Sequence, residues 1–210
     1  MSLPEECKNR SYTLLLDKSG SMNISDQTGG MSRWDATLEA IRFIIQQFEK
    51  IDYEGINVYT FAGKVSRPYR NVNLTKFEEE VLSENQPVPG RTNLTEALRK
   101  ALDDYFERKL NNLAKPNGEI ILVITDGKAD DPKGVRDVII EASKKIDRDE
   151  EIGISLIQVG QDEKVKKFFK ELDDDLVNNA GAKFDICDTL NFEDLEDYPL
   201  AEVLLNAIKD

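Results

Sequence analysis

The sequence predicts an α/β protein of three layers. Helices cover both faces of a Rossmann-like, mostly parallel central sheet with one antiparallel edge strand. Three observations lead there. Short apolar or β-branched runs alternate with longer segments whose apolar residues recur at helical spacing, the pattern of strand–crossover–strand units. The run 119–125 is apolar from Ile120 to Ile124, as a strand buried on both faces must be. Gly63 separates two β-rich runs, 56–61 and 65–69, closely enough for an edge hairpin.

Taken in order, 12–16 (Tyr-Thr-Leu-Leu-Leu) is a buried-strand run ending at Asp17. A polar, Gly-containing loop follows to Gly30. Ser32 with Asp35 resembles a capping box, and Trp34, Leu38, Ile41, Ile45 and Phe48 mark a helix with Trp34 as its first apolar anchor. After the hairpin, 75–82 is a short helix and 86–90, with two prolines, a loop. Leu94, Leu98, Leu102, Tyr105, Phe106 and Leu113 predict a long helix. The strand 119–125 ends in Asp126-Gly127. Asp131-Pro132 reads as N-cap and first residue of the next helix. A strand over 152–159, a helix over 165–176, a short strand over 183–187 and a closing helix over 200–208 complete the chain. Residues 1–10 are read as an N-terminal tail and 11–209 as a single domain.

Composition narrows function. The 210 residues include 28 basic and 41 acidic side chains and no histidine, a net charge of −13. Nucleic acid and anionic membrane surfaces are poor partners for such a chain. Without histidine there is no Ser-His-Asp or Cys-His hydrolase and no His-ligated zinc site. No apolar run approaches a membrane span, and the start lacks the pattern of a signal peptide. Two cysteines are too few for a disulfide framework and fit a reducing, cytoplasmic compartment. The four Asn-x-Ser/Thr sequons carry no meaning there.

In open α/β sheets, ligands bind beyond the carboxyl ends of the strands. Three loops qualify: Asp17-Lys18-Ser19-Gly20-Ser21, Gly90-Arg91-Thr92-Asn93-Leu94 and Thr125-Asp126-Gly127. Each delivers hard oxygen donors. Two carboxylates and three hydroxyls carry little negative charge. They suit a small divalent ion that keeps part of its water, Mg²⁺ first, with Mn²⁺ and Ca²⁺ as alternatives. Neutral hydroxyl ligands leave such an ion electrophilic enough to accept an outside carboxylate.

At these residues the chain resembles the von Willebrand factor type A domain family with its metal-ion-dependent adhesion site. It is most similar to small stand-alone bacterial members, cyanobacterial ones in particular. The resemblance covers about 11–209. It implies that Ser19 and Ser21 ligate the metal directly and that Asp17 and Asp126 do so directly or through water. Thr92 would ligate according to the state of the domain, and a partner's Asp or Glu would complete the shell. Arg91 departs from the Gly-Gly-Thr of many members, and the loop 23–31 is long.

The expected function is therefore a metal-dependent protein-interaction module, not an enzyme, with its oligomeric state left open. One alternative is a Mg²⁺-dependent phosphoryl-transfer or hydrolytic enzyme. Against it, no Asp-x-Asp nucleophile or phosphate-binding loop is present. Another is an adaptor subunit for a separate ATPase, as in chelatase-like assemblies. Residues 161–210 hold 14 acidic and 6 basic side chains, so the acidity is concentrated there. The motif loops instead carry Lys18, Arg91 and Lys128, with Arg33 at the start of the following helix, which predict a locally cationic rim for an acidic partner.

Overall fold

The computed structural model describes residues 4–49, 54–127, 129–196 and 200–208. Strand β1 (Ser11–Asp17) leads through helix α1 (Arg33–Glu49) to β2 (Ile56–Phe61) and β3 (Tyr69–Val72). A single helical turn, α2 (Leu74–Lys76), runs into a π-type turn, Phe77–Leu82. Then come α3 (Leu94–Leu110), β4 (Glu119–Thr125), α4 (Pro132–Lys145) and β5 (Ile152–Gln158). The chain closes with α5 (Glu163–Asp174), α6 (Leu176–Ala180), β6 (Cys187–Asn191) and α7 (Leu200–Asn206).

The six strands form one sheet in the order β3-β2-β1-β4-β5-β6. All neighbours are parallel except β2 and β3, as the sequence predicts. The chain winds outward from β1 in one direction and from β4 in the other. Leu16 stands in register with Ile124, so the carboxyl ends of these two strands meet where the winding reverses. That junction opens a crevice beyond the sheet.

Side-chain alternation builds two cores. Leu14 and Leu16 of β1 face one layer with Trp34, Ile41, Ile45 and Phe48 of α1 and Leu204 of α7. Leu15 faces the other, with Leu94, Leu98 and Leu102 of α3, Ile139 of α4 and Phe169 of α5. The capping signals at α1 and α4 are realised. Ser32 Oγ accepts from Asp35 N at 3.0 Å, and Asp131 Oδ1 accepts from Gly134 N at 2.9 Å.

Several element limits differ from the sequence reading. The antiparallel strand is 69–72, not 65–69. Pro68 has no N–H for a ladder, and the 65–69 run makes only an isolated bridge from Val65 to Phe61 before β3 begins at Tyr69. Helix α3 stops at Leu110, because Asn112 adopts φ 57° and turns the chain, leaving Leu113 71% exposed. The helix read over 165–176 is α5, which starts earlier at the Asp162 cap and stops at Asp174. Strand β6 begins at Cys187 instead of ending there, since Lys183 N is held by Ser143 Oγ and its ammonium by Ile146 O at the end of α4. Residues 4–10 pack on the body: Cys7 and Arg10 are buried, and the Arg10 guanidinium donates to Glu150 O at 2.6 Å.

Candidate metal centre

Asp17 is the last residue of β1 and is fully buried. Its Oδ1 accepts from Ser19 N at 2.7 Å, and its Oδ2 accepts from the Thr125 hydroxyl at the end of β4. Burial pushes its carboxyl pKa up to about 6; these hydrogen bonds oppose the rise and the nearby Asp126 carboxylate adds to it. Among the described residues no basic side chain pairs with Asp17. The chain then turns through Gly20–Asn23, bringing Ser21 back beside Ser19 with their hydroxyl oxygens 3.1 Å apart. Ser21 Oγ donates across the crevice to Asp126 Oδ1 at 2.8 Å.

Thr92 enters from the loop before α3 and is 7% exposed. Asn93 N bonds Ala62 O at the end of β2, and Asp130 N bonds Thr92 O. Gly127 lets Thr92 approach: a Cβ at 127 would stand 2.8 Å from Thr92 Oγ1. The five residues proposed from sequence, Asp17, Ser19, Ser21, Thr92 and Asp126, therefore converge on one crevice from three loops. Every donor is a hard oxygen. Among the described residues, no group of three or more His, Cys, Asp or Glu side chains gathers to hold a metal. Any ion here would be held by two carboxylates and hydroxyls.

The family model for the von Willebrand factor type A domain matches residues 12–128, from the first strand to just past Asp126. The chain belongs to the von Willebrand factor type A domain family. Such domains generally act as protein-interaction modules, some of them metal-dependent. Solved structures share the fold. A variant of the PilB minor pilin from Streptococcus sanguinis matches with a TM-score of 0.64 at 15% identity, covering 96% of this chain and 61% of the pilin. The SpRpn10 A domain matches at 0.59 and 13% identity, covering 93% of each chain. The manganese-loaded TRAP protein of Plasmodium vivax matches at 0.52 and 17% identity, covering 75% of this chain and 61% of that one. This chain thus spans less than two thirds of the pilin and of TRAP. No curated protein matches it.

Within this A domain, the sequence places a cation at Arg33 but not the two carboxylates it joins. Arg33, the first residue of α1, sends Nη1 to Asp126 Oδ2 at 2.9 Å. Its other edge grips Asp26 in the loop 23–31, with Nε 3.0 Å from Oδ1. These carboxylates, Asp26 first, raise the guanidinium pKa further above its ordinary value, and Arg33 holds the Asp26 carboxyl below its own. Gly160, at φ 80°, leaves the passage open, since a Cβ there would meet Arg33 Cζ at 2.8 Å. The long loop is therefore tied to the crevice by an ion-pair relay. Only the charge pattern hinted at it; a 93-residue separation gave no local signal.

The cations expected at the rim divide. Lys18 is half-buried, and its ammonium donates at 2.8 Å to Asn85, itself buried and bonded to Thr60 and Tyr69. Burial lowers the Lys18 pKa. Arg91 is exposed. Lys128 lies outside the described residues. Val88, 41% exposed, joins the rim instead: its N–H bonds Lys18 O at 2.9 Å and straps the 86–90 loop onto the motif loop. Among the described residues no helix is long and apolar enough to cross a membrane.

Proposed function

We propose that this A domain is a metal-dependent protein-interaction module. Its site would bind Mg²⁺, with Mn²⁺ or Ca²⁺ as substitutes, through Ser19, Ser21, Thr92, Asp17 and Asp126. One coordination position would be left for an Asp or Glu carboxylate of a protein partner. The observation that carries this reading is Asp17. A carboxylate fully buried beside a second carboxylate is costly unless a cation compensates it. This chain supplies Arg33 to Asp126 and none of its described basic side chains to Asp17.

The donor set fits that ion, since hydroxyl and carboxylate oxygens are what a hard divalent cation prefers. When bound, the ion would supply a Lewis-acidic position for the partner's carboxylate. The protein residues hold the oxygens in place: Thr125 and Ser19 N orient Asp17, while Arg33 orients Asp126. The manganese in the TRAP relative supports metal binding by this fold. No reaction is assigned to the site. Two cysteines, both buried, are too few for a disulfide framework, which supports a reducing, cytoplasmic setting.

The test is affinity capture from the source cell in Mg²⁺ or in EDTA, with wild type and Asp17→Ala as baits. A partner captured only by wild type in Mg²⁺ is the expected result. Equal capture under all four conditions would overturn the reading.

A further inference from the structure

Beside the metal centre, α4 and α5 leave an open groove of about 570 Å³. Two basic pairs line it, Lys133 and Arg136 on α4 and Lys164 and Lys167 on α5. Each pair is spaced three residues apart, so each lies along one helix face. We propose that this groove binds an acidic peptide segment of the same partner whose carboxylate meets the metal centre. The proposal rests on the metal-dependent reading above and adds where the rest of the ligand lies.

Position supports it. Helices α4 and α5 follow β4 and β5, so their first turns sit at the carboxyl end of the sheet with the metal centre. The near wall is tied to the threonine loop. Thr95 Oγ1 donates to Asp131 O at 3.0 Å, and Asp130 N donates to Thr92 O at 3.0 Å. A chain leaving the crevice past Thr92 therefore meets the groove directly.

Charge supports it more strongly. The groove's own acids are already used: Asp131 caps α4, and Glu171 lies 3.4 Å from Arg136. Lys133, Lys164 and Lys167 are exposed and make no ion pair with any described residue. Unpaired positive charge gathered in one groove is unexpected on a chain of net charge −13, unless an anion is received there. The cations are spread along two facing helices, with Pro132 and buried Phe168 between them. Spaced carboxylates on an extended backbone match that layout, whereas a compact anion would need the cations converging on one point.

The probe is a fluorescein-labelled Asp/Glu peptide of about ten residues, long enough at ~3.3 Å per residue to occupy crevice and groove together. Its affinity is read by anisotropy in Mg²⁺ and in EDTA, at ~50 and ~150 mM salt. The variant is Lys133→Glu, Lys164→Glu and Lys167→Glu together; these exposed changes leave the core intact, and circular dichroism checks the fold. The control reverses Lys8, Lys100 and Lys144, which lie off the groove, with the same change in net charge. The expected result is binding weakened about tenfold or more by the groove variant and little by the control, with a flatter salt dependence for the groove variant.

Peptide binding that vanishes in EDTA but ignores the groove variant overturns the groove and leaves the metal centre standing. Binding that responds to the groove variant but ignores EDTA supports the groove and removes the metal as anchor. Equal loss in variant and control reduces the effect to net charge and overturns the proposal. So does inorganic phosphate that binds the groove in EDTA more tightly than the peptide does. Absence of any peptide binding by wild type overturns the groove proposal; the metal centre is judged by the capture experiment above.

Discussion

Buried carboxylates stand at both ends of the same sheet and are treated differently. Glu119, at the amino end of β4, is fully buried, and so is Asp17 at the carboxyl end of β1. Burial raises the pKa of both. Glu119 is answered from within the chain by Arg108, which opposes that rise, and by the Thr13 hydroxyl. Glu151 nearby is answered by Lys109 at 2.6 Å and by Tyr105. Asp17 is held by two hydrogen bonds but by no described cation. The amino end is thus closed electrostatically and serves the fold. The carboxyl end retains an unbalanced charge, which is the condition for receiving an ion from outside.

Breaking the closed end should have the largest effect. Arg108→Ala leaves Glu119 buried without its cation and should cost about 3–5 kcal/mol in urea unfolding. Mg²⁺ affinity at the other end should stay as in wild type, since the two sites share no partner.

At the open end the sign reverses. Asp17→Asn removes an uncompensated charge and keeps the shape, with the Thr125 hydroxyl turning to accept from the new amide. A carboxyl raised from 3.8 to about 6 stabilises the fold fully below its unfolded value and loses that contribution as pH rises through its folded value. The metal-free variant should therefore equal wild type only below the unfolded value of 3.8. Above the folded pKa it should gain at most about 3 kcal/mol over wild type. Paired pH–stability curves check this, and identical curves would remove the charge imbalance from the account.

A third change sharpens the contrast by making Asp126 resemble Asp17. Arg33→Gln withdraws the guanidinium from Asp126 and from Asp26. The metal-free fold should weaken. Mg²⁺ should bind about tenfold tighter, equivalent to ~1.4 kcal/mol, because a nearby positive charge is gone. Calorimetry measures the second effect; weaker Mg²⁺ binding would mean that Arg33 matters chiefly as the anchor of the 23–31 loop.

The smallest effect is steric. Gly127→Ala places a methyl group 2.8 Å from Thr92 Oγ1. It should cost about 1 kcal/mol of stability and weaken Mg²⁺ binding a few-fold by displacing one hydroxyl. Unchanged titrations would remove Thr92 from the ligand set.

The open end was more legible in the sequence than the closed one. Asp17, Ser19, Ser21, Thr92 and Asp126 sit in three loops fixed by strong neighbours, the apolar strands and the long helix after Asn93. Their convergence follows once the sheet is parallel. The Arg108–Glu119 and Arg33–Asp126 pairs join elements whose juxtaposition exists only after folding, and a charged residue on a helix gives no sign of which distant acid it will meet. Motif position does not fix the orientation of Lys18; Asn85, 67 residues away, decides where its ammonium goes. The limits of β3 and β6 escaped because apolar content locates a strand only roughly. Pro68 at one edge and the Lys183–Ser143 bond at the other set the actual register.

We propose that a divalent metal is the cation that answers Asp17. Calorimetric titration of Mg²⁺ into wild type and Asp17→Asn at pH 7 tests it most directly. Saturable binding by wild type and none by the variant, although the metal-free variant is the more stable protein, is the predicted result. Equal binding by both, or no binding of Mg²⁺, Mn²⁺ or Ca²⁺ by wild type, would contradict it.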